Sequence, residues 1–233
     1  MNIVGKNSAR EILSSDTEIN NIYLNENFNN TEILKLINKR GIKPIYKTMS
    51  EMDKMSSEVH QGIIISAKDY EYFTFDDIKK DDKSNFIVLL DHIEDPRNFG
   101  AIIRTCECAG VDYIVIPNKR GTLVTSTVMK TSCGALTNQK VVLVSNLNNT
   151  ITKLKELGYW IIGSDSEGTD YKSIDYSGKV CLIIGSEGFG LKELVRKNCD
   201  FIASIPLKGK VNSLNASVAA GILIYEVVRN KWL

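Results

Sequence analysis

Short apolar runs and helix-like segments alternate along the chain after residue 85. Strands are predicted at 86–90, which is apolar throughout, and at the largely apolar segments 113–116, 141–144, 160–163, 180–184 and 201–205. Segments with apolar residues at helical spacing occur at 99–109, 124–131, 151–157, 191–198 and 214–232. Because strands buried on both faces are apolar throughout, this alternation predicts an α/β domain whose parallel sheet is covered by helices on both faces.

The first 75 residues predict a smaller α/β unit. Residues 31–40 have the spacing of an amphipathic helix, with Thr31 as its cap and Gly41 at its end. Another helix is predicted at 8–14, and strands at 21–24, 45–46 and 62–65. Residues 76–85 form the most polar stretch of the chain. We therefore predict two domains, 1–75 and 86–233, joined by a linker at 76–85.

Composition and charge limit the class of protein. Of the 233 residues, 43% are hydrophobic and 24% charged, which is typical of a soluble globular protein. No apolar run approaches the roughly 20 residues that span a bilayer. The N-terminus has no apolar signal core, so we predict a cytoplasmic location. A net charge of +1 cannot hold nucleic acid by itself, so any RNA binding needs a local basic patch.

The five cysteines point to no disulfide framework and no metal. Their number is odd and no pair has C-x-x-C spacing, which argues against both a disulfide scaffold and a zinc site. Cys106 and Cys108 lie in an apolar helical pattern. We interpret them as buried structural thiols.

Three loops that follow predicted strands carry the candidate chemistry, since ligands bind there in open α/β sheets. The first contains Asn98, Gly100 and Arg104. Asp95-Pro96 or Asn98 can start a helix, and Gly100 and Arg104 then share one helical face. Gly100 has no side chain, so a backbone or a phosphate could approach beside the guanidinium. An exposed surface arginine is the alternative interpretation.

The second loop, residues 185–190, has glycines in the order G-x-x-G-x-G. Glycines let a backbone approach a ligand closely. The segment lacks the Gly-Lys-Ser/Thr of a phosphate-binding Walker loop, and its order differs from the G-x-G-x-x-G dinucleotide pattern. A tight turn without a ligand is the alternative.

The third loop, residues 205–217, leads into the last predicted helix. Asn212 or Ser213 is a suitable N-cap. Asn215 is predicted to lie inside a helix that is apolar nearly all round, where its amide needs a partner or a ligand. Such a helix must be buried on several sides, by its own sheet or by another subunit.

These three loops resemble the three motifs of the SpoU (TrmH-like) family of RNA 2′-O-methyltransferases, in the SPOUT superfamily. The matching patterns are N-x-G-x-x-x-R-T at 98–105, I-G-S-E-G-x-G at 184–190 and I-P-x₆-S-L-N-x-S-x-A at 205–219. Residues 59–63, Val-His-Gln-Gly-Ile, resemble part of the ribosomal-protein-like RNA-binding domain of the RlmB branch. The resemblance thus extends over essentially the whole chain.

The resemblance implies a C-terminal trefoil knot and S-adenosyl-L-methionine as cofactor. Pattern reasoning alone would not propose a knot, because knots are nearly absent from proteins. The resemblance also implies a homodimer that builds each active site between subunits. The residues it assigns to cofactor binding are Gly185, Ser186, Glu187, Gly188, Ile205, Pro206, Leu207 and Leu214.

The resemblance implies that Arg104 has the central catalytic role. It assigns the positioning of the ribose, the arginine and the cofactor to the remaining motif residues, Asn98, Glu187, Ser213 and Asn215. Removing a proton from a guanidinium at neutral pH costs on the order of 9 kcal/mol. We therefore interpret Arg104 as a cation that binds the target phosphate and stabilises the forming alkoxide, not as the base. Lys119, Arg120, Lys208 and Lys210 are candidate RNA contacts along with Arg104, and isolated solvated charges are the alternative for the four loop residues.

The predicted reaction is methylation of a guanosine 2′-hydroxyl in large-subunit (23S) ribosomal RNA. The same chemistry on transfer RNA or on another ribosomal site is the nearest alternative. A non-catalytic RNA-binding assembly factor is an alternative of another class, although the presence of Arg104, Glu187, Ser213 and Asn215 argues against it. The glycine order argues against a dinucleotide oxidoreductase.

Overall fold

The computed structural model describes residues 1–15, 17–186, 188 and 190–232, with the backbone alone at Trp232. The chain divides into two compact units. The first comprises Met1–Glu71 with Val124–Ser126, and the second comprises Tyr72–Leu123 with Thr127–Leu233.

The first unit contains a four-stranded sheet with helices. Its elements are β1 (Asn2–Val4), α1 (Lys6–Ser14), β2 (Ile19–Asn25), α2 (Thr31–Arg40), β3 (Ile45–Lys47), α3 (Met49–Met55) and β4 (Ile63–Ala67), with strand order β1-β4-β2-β3. Helix α2 has the predicted bounds and ends at the left-handed Gly41. Thr31 is not its cap, however, because the Asn30 side chain accepts the hydrogen bond from the Ile33 backbone N–H.

The second unit alternates strands and helices. Its elements are α4 (Phe75–Lys80), β5 (Phe86–Asp91), α5 (Pro96–Cys108), β6 (Tyr113–Pro117), α6 (Ser126–Thr131), β7 (Lys140–Val144), α7 (Leu147–Glu156), β8 (Tyr159–Asp170), β9 (Lys179–Gly185), α8 (Glu193–Lys197), β10 (Phe201–Ser204) and α9 (Ala216–Trp232). The strand order is β10-β8-β9-β5-β6-β7, and every neighbouring pair is parallel. The predicted fold class is confirmed, while the knot implied by the resemblance stays a prediction.

Both faces of the large sheet are covered. Every residue of β5 is buried, as its continuous apolar run predicts. On one face, Ile87 and Leu89 pack with apolar residues of α4, α7 and α8. Helix α5 packs against α9, and α9 also contacts β9. No helix in the described part of the chain is long and apolar enough to cross a membrane.

The segment predicted as a linker contains helix α4. Thr74 and Asp77 form a capping box at its start, and Ile78 is buried in the core of the second unit. Tyr72, which precedes the helix, also belongs to this unit. A short helix that buries one apolar residue is strongly polar in sequence, which is why the pattern suggested a linker.

Candidate functional site

A cavity of about 300 Å³ lies at the carboxyl edge of the large sheet. It is enclosed by the middle of β8, the ends of β9 and β10, and the first half of α9 with the loop before it. The lining residues are Ser164, Asp165, Ser166, Ile184, Gly185, Ser186, Gly188, Gly190, Ala203, Ile205, Leu207, Asn212, Ser213, Leu214, Ala216, Ala219 and Leu223. This edge is where open parallel sheets bind ligands, and the volume lies at the lower end of the range for small-molecule sites.

The glycine loop forms a closed turn beside this cavity. Ser186 and Gly190 exchange two backbone hydrogen bonds, of 3.0 and 3.1 Å. A Cβ atom on Gly185 would lie 2.4 Å from the carbonyl carbon of Gly190, so only glycine fits there. The turn therefore presents backbone to the cavity, as a ligand cradle requires. Glu187, predicted for catalysis and cofactor binding, lies outside the described residues.

The third loop supplies the opposite wall of the cavity. Ile205, Leu207, Ser213 and Leu214, all predicted site residues, are among its lining. Pro206 is exposed and is not among the lining residues of the described part of the chain.

Asn215 lies just before α9 and not inside it, which corrects the sequence prediction. Its side-chain oxygen accepts hydrogen bonds from the backbone N–H groups of Ser217 at 3.0 Å and Val218 at 3.4 Å. These are the contacts of an N-cap, and the Ala219 N–H donates to the Asn215 carbonyl as the first helical bond. Asn215 thus takes the capping role predicted for Asn212 or Ser213.

Asn215 also joins the third loop to the first. Its Nδ2 donates to Oδ1 of Asn98 across 3.0 Å. Asn98 is buried in the first turn of α5. Asp95 caps this helix and Pro96 begins it, so of the two predicted starts Asp95-Pro96 is confirmed. Two motifs that are 117 residues apart in the chain are therefore held together by a side-chain hydrogen bond.

Arg104 lies elsewhere on α5, with an exposed side chain. Its Nη1 contacts Sγ of Cys133 at 3.6 Å. Arg104 is not among the described residues that line the cavity of its own chain. A single chain therefore brings the second and third loops together, and ties Asn98 to them, without placing the arginine there.

Gly100 serves helix packing, contrary to the suggestion that it leaves room for a ligand backbone or phosphate. A Cβ atom there would lie 1.8 Å from Oγ1 and 2.7 Å from Cβ of Thr131, and 3.0 Å from the Val128 carbonyl. The space beside Gly100 is filled by α6.

The middle of β8, just beyond the last residue that pairs with β9, contributes a carboxylate that the sequence analysis missed. Asp165 lines the cavity and lies 2.5 Å from the Arg196 guanidinium. Burial alone would raise the pKa of the Asp165 carboxyl. The hydrogen bonds from Arg196 and from the Glu167 backbone outweigh burial, and the net shift of the pKa is downward. The sequence did contain a signal, because the polar run 164–170 directly follows the strand predicted at 160–163.

The candidate RNA contacts are exposed and lie in two loops. Lys119 and Arg120 follow β6, and Lys208 and Lys210 follow β10. Because β6 and β10 are parallel strands of one sheet, both loops leave from its carboxyl edge. The basic residues are thus on the same edge as the cavity.

The cysteines only partly follow the prediction. Cys106 is buried, whereas Cys108 is exposed, because two residues along a helix turn the side chain away from the core. No group of three or more His, Cys, Asp or Glu side chains in the described part of the chain is placed to hold a metal ion.

Known proteins match both parts of the chain. The model of the SpoU rRNA Methylase family matches residues 85–225. A model described as RNA 2′-O ribose methyltransferase substrate binding matches residues 2–73. A protein of Staphylococcus saprophyticus named putative TrmH family tRNA/rRNA methyltransferase is 42% identical, over 98% of this chain and 95% of its own length.

Solved structures agree with these matches. An AdoMet-bound rRNA methyltransferase from Sinorhizobium meliloti superposes with a TM-score of 0.72 at 23% identity, covering 98% of this chain and 86% of that one. The A. aeolicus TrmH/SpoU tRNA modifying enzyme superposes with a TM-score of 0.59 at 27% identity, covering 64% of this chain and 77% of that one. Since the SpoU model spans more than half of the chain and carries all three motif loops, the chain belongs to the SpoU (TrmH) family of RNA methyltransferases.

Proposed function

We propose that this protein transfers a methyl group from S-adenosyl-L-methionine to a ribose 2′-hydroxyl of RNA, on a guanosine of large-subunit ribosomal RNA. The observation that carries this proposal is the joining of the three motif loops. The second and third loops line one cavity, and the Asn98–Asn215 hydrogen bond ties the first loop to them.

The residues that line the cavity suit the cofactor chemically. The tight turn at Gly185 leaves room only for backbone, which can hydrogen-bond an adenosine or an amino acid. Ile184, Leu214 and Leu223 add apolar wall, and the Asp165 carboxylate, paired with Arg196, adds oxygens that can accept hydrogen bonds from a ligand. We assign cofactor binding to Gly185, Ser186, Gly188, Ile205, Leu207 and Leu214. When bound, the cofactor supplies an electrophilic methyl group on a sulfonium.

The other site residues prepare the ribose hydroxyl, which is a poor nucleophile. Ser213 lines the cavity beside the capped start of α9, and we assign its hydroxyl to contacts with the ribose. Asn98 and Asn215 fix the relative position of α5 and this loop, which provides the orientation that a transfer reaction needs. Arg104 binds the target phosphate and stabilises the negative charge developing on the oxygen.

Arg104 acts on the cavity of a partner subunit in this proposal. Its own chain does not bring it to the lining of the described cavity. Helix α9 buries Ala220, Leu223 and Ile224 in its own unit, yet leaves Val218 and Tyr225 about half exposed, at 51% and 47%. A helix that is apolar on both sides suits a homodimer interface.

The N-terminal unit favours ribosomal RNA as substrate. The likeness to an rRNA methyltransferase extends over 98% of this chain, whereas the likeness to a tRNA modifying enzyme covers 64%. Curated relatives are named for both RNA classes, so transfer RNA is the competing substrate. Either substrate implies a cytoplasmic location.

Incubation with methyl-labelled S-adenosylmethionine and separated ribosomal and transfer RNAs tests the proposal. We expect label in large-subunit RNA, at a nucleotide whose 2′-O-methyl group blocks primer extension at low nucleotide concentration. Label in transfer RNA alone would contradict the choice of substrate. No label in either RNA, with cofactor binding shown by calorimetry, would favour a non-catalytic RNA-binding factor.

A further inference from the structure

The first unit concentrates its positive charge in one segment, which runs from the first turn of α2 to the first turn of α3. Residues 33–50 contain five lysine or arginine residues and no aspartate or glutamate. The rest of residues 1–71 contains four basic and ten acidic side chains. A cluster of basic residues in a unit that is otherwise acidic is the electrostatic mark of a site for a polyanion.

Three of the five cations have no counter-ion in the described part of the chain. Lys47 pairs with Glu51 at 3.3 Å, and the Arg40 guanidinium donates to the Thr17 carbonyl. The exposed lysines that form no ion pair with any described residue are Lys35, Lys39 and Lys43. Such lysines are available to neutralise phosphates.

Strand β3 adds exposed apolar side chains to the same segment. It lies at the edge of the four-stranded sheet and pairs with β2. Ile45 and Tyr46 on this strand and Met49 at the start of α3 are exposed, and Tyr46 reaches 57%. Large apolar side chains that are exposed close together mark an interaction surface, and the tyrosine ring offers a flat face for stacking.

This edge is poorly suited to pairing with a strand of another protein. Strand β3 has three residues, Pro44 precedes it, and Lys43 and Lys47 lie just before it and at its end. Short length, proline and lysine all discourage the addition of a strand. An exposed aromatic ring among unpaired lysines instead matches a partner with negative charge and flat rings, which is a single-stranded nucleic acid.

The ring and the free lysines lie within reach of one short stretch of RNA. Lys43 is three residues from Tyr46, so their Cα atoms are at most about 10 Å apart. Lys39 lies in the last turn of α2. Because β2 and β3 are parallel, the helix that connects them returns to the beginning of β3. The end of α2 and the start of β3 therefore form one surface.

We propose that an unpaired nucleotide of the RNA substrate stacks on the Tyr46 ring while Lys39 and Lys43 contact neighbouring phosphates. The proposal rests on the proposed function, since it takes the substrate to be RNA. A base can stack on a side chain only when it is free of its own helix, so this surface selects a loop or a bulge. The phosphate contacts hold the strand without reading its sequence.

Binding of an RNA transcript to the full chain tests the stacking contact. The probe is an in vitro transcript of large-subunit ribosomal RNA, and filter binding without cofactor gives the dissociation constant. Tyr46→Ala should raise this constant about 10-fold, because a stacked base contributes on the order of 1–3 kcal/mol. Tyr46→Phe keeps the ring and should stay within about twofold of wild type.

The salt dependence of binding tests the phosphate contacts. The double variant Lys39→Gln, Lys43→Gln should reduce the slope of the logarithm of affinity against the logarithm of salt concentration by about 1.4, the value for two phosphates of a single strand. The matched control Lys54→Gln, Lys68→Gln removes the same charge from exposed positions of this unit outside the segment. It should keep the wild-type slope.

Ultraviolet cross-linking locates the contact on the protein. Trypsin does not cleave between Lys43 and Pro44, so it releases Tyr46 in the peptide 41–47. We expect this peptide to carry the mass of a nucleotide after the wild type is irradiated with the transcript. The same peptide from Tyr46→Ala should carry none.

Two results would overturn the proposal. RNA affinities within about twofold of wild type for both Tyr46→Ala and the double lysine variant, with circular dichroism spectra unchanged, would show that the lysines only protect the edge of the sheet. A lower molecular mass of Tyr46→Ala in light scattering, at unchanged RNA affinity, would assign the surface to a second copy of the chain. If the wild type bound RNA through Tyr46 yet methylated no RNA, the proposed function would fail while the binding surface stood.

Discussion

Gly100 and Gly185 both belong to motif loops, yet different neighbours require each of them to lack a side chain. Beside Gly100 the neighbour is the side chain of Thr131 on α6, and beside Gly185 it is the backbone of Gly190. The first glycine permits two helices to pack closely, and the second permits the turn that borders the cavity. The sequence marks both positions as glycine without showing which contact each one makes.

Replacement of Gly100 by alanine tests the packing role. The added Cβ would overlap Thr131, so α5 and α6 must separate. We expect a loss of about 1–3 kcal/mol in the free energy of unfolding, measured with urea. Gly209→Ala is the control, since the nearest atom to its added Cβ would be the Val211 nitrogen at 3.9 Å, an ordinary contact, and it should lose no stability. Equal stability of the two variants would contradict the packing role.

At the scale of elements, the start of α9 organises the site. Asn215 caps this helix with its side-chain oxygen and reaches Asn98 with its amide nitrogen. One side chain therefore sets both where the helix begins and how it is held to α5. An apolar pattern alone does not fix the residue at which a helix begins, which is why Asn215 was predicted inside the helix.

Two substitutions separate these tasks of Asn215. Alanine removes the cap and the amide and should cost about 1 kcal/mol in unfolding free energy. Serine keeps a capping oxygen, so its stability should lie closer to wild type, but it loses the donor to Asn98. We expect both variants to lose methylation activity. An active Asn215→Ser enzyme would show that the link to Asn98 is dispensable.

At the scale of the whole molecule, the position of Arg104 bears on the proposed homodimer. The arginine is exposed on α5 and is not among the described residues of the cavity in its own chain. The exposed apolar residues Val218 and Tyr225 on α9 suit an interface with a second copy. The proposed active site, shared between subunits, would account for both observations.

Complementation between inactive variants tests the shared site. Arg104→Ala removes the cation, and Gly185→Ala destroys the turn because its Cβ meets the Gly190 backbone. Co-expressed, the two should form mixed dimers in which one of two sites is intact. Activity should then recover to about one quarter of wild type for random pairing in a two-fold symmetric dimer.

The outcome differs if Arg104 serves its own chain. Each site of a mixed dimer would then carry one defect, and co-expression would give no more activity than either variant alone. The two proteins purified separately, and assayed together before subunits exchange, provide the control and should stay inactive. Light scattering on the wild type should show a dimer.

The sequence by itself determined the elements and the motifs. Periodicity identified the strands and helices of the large sheet, because burial on both faces forces continuous apolar runs. It missed β1 and α3, which are too short to show a period. It also placed a linker where α4 buries only Ile78. Local chemistry correctly indicated Asp95-Pro96 as a helix start.

Only the tertiary structure decided which residues share a site. Asp165 lies in the cavity lining, and Asn98 is hydrogen-bonded to Asn215. Gly100 packs against Thr131, and Arg104 is not among the described lining residues of its own chain. These contacts join residues far apart in the chain, and they depend on strand order and register, which no local pattern encodes. Side-chain periodicity reports which face of an element is buried, whereas the neighbours on that face are set by how the whole chain packs.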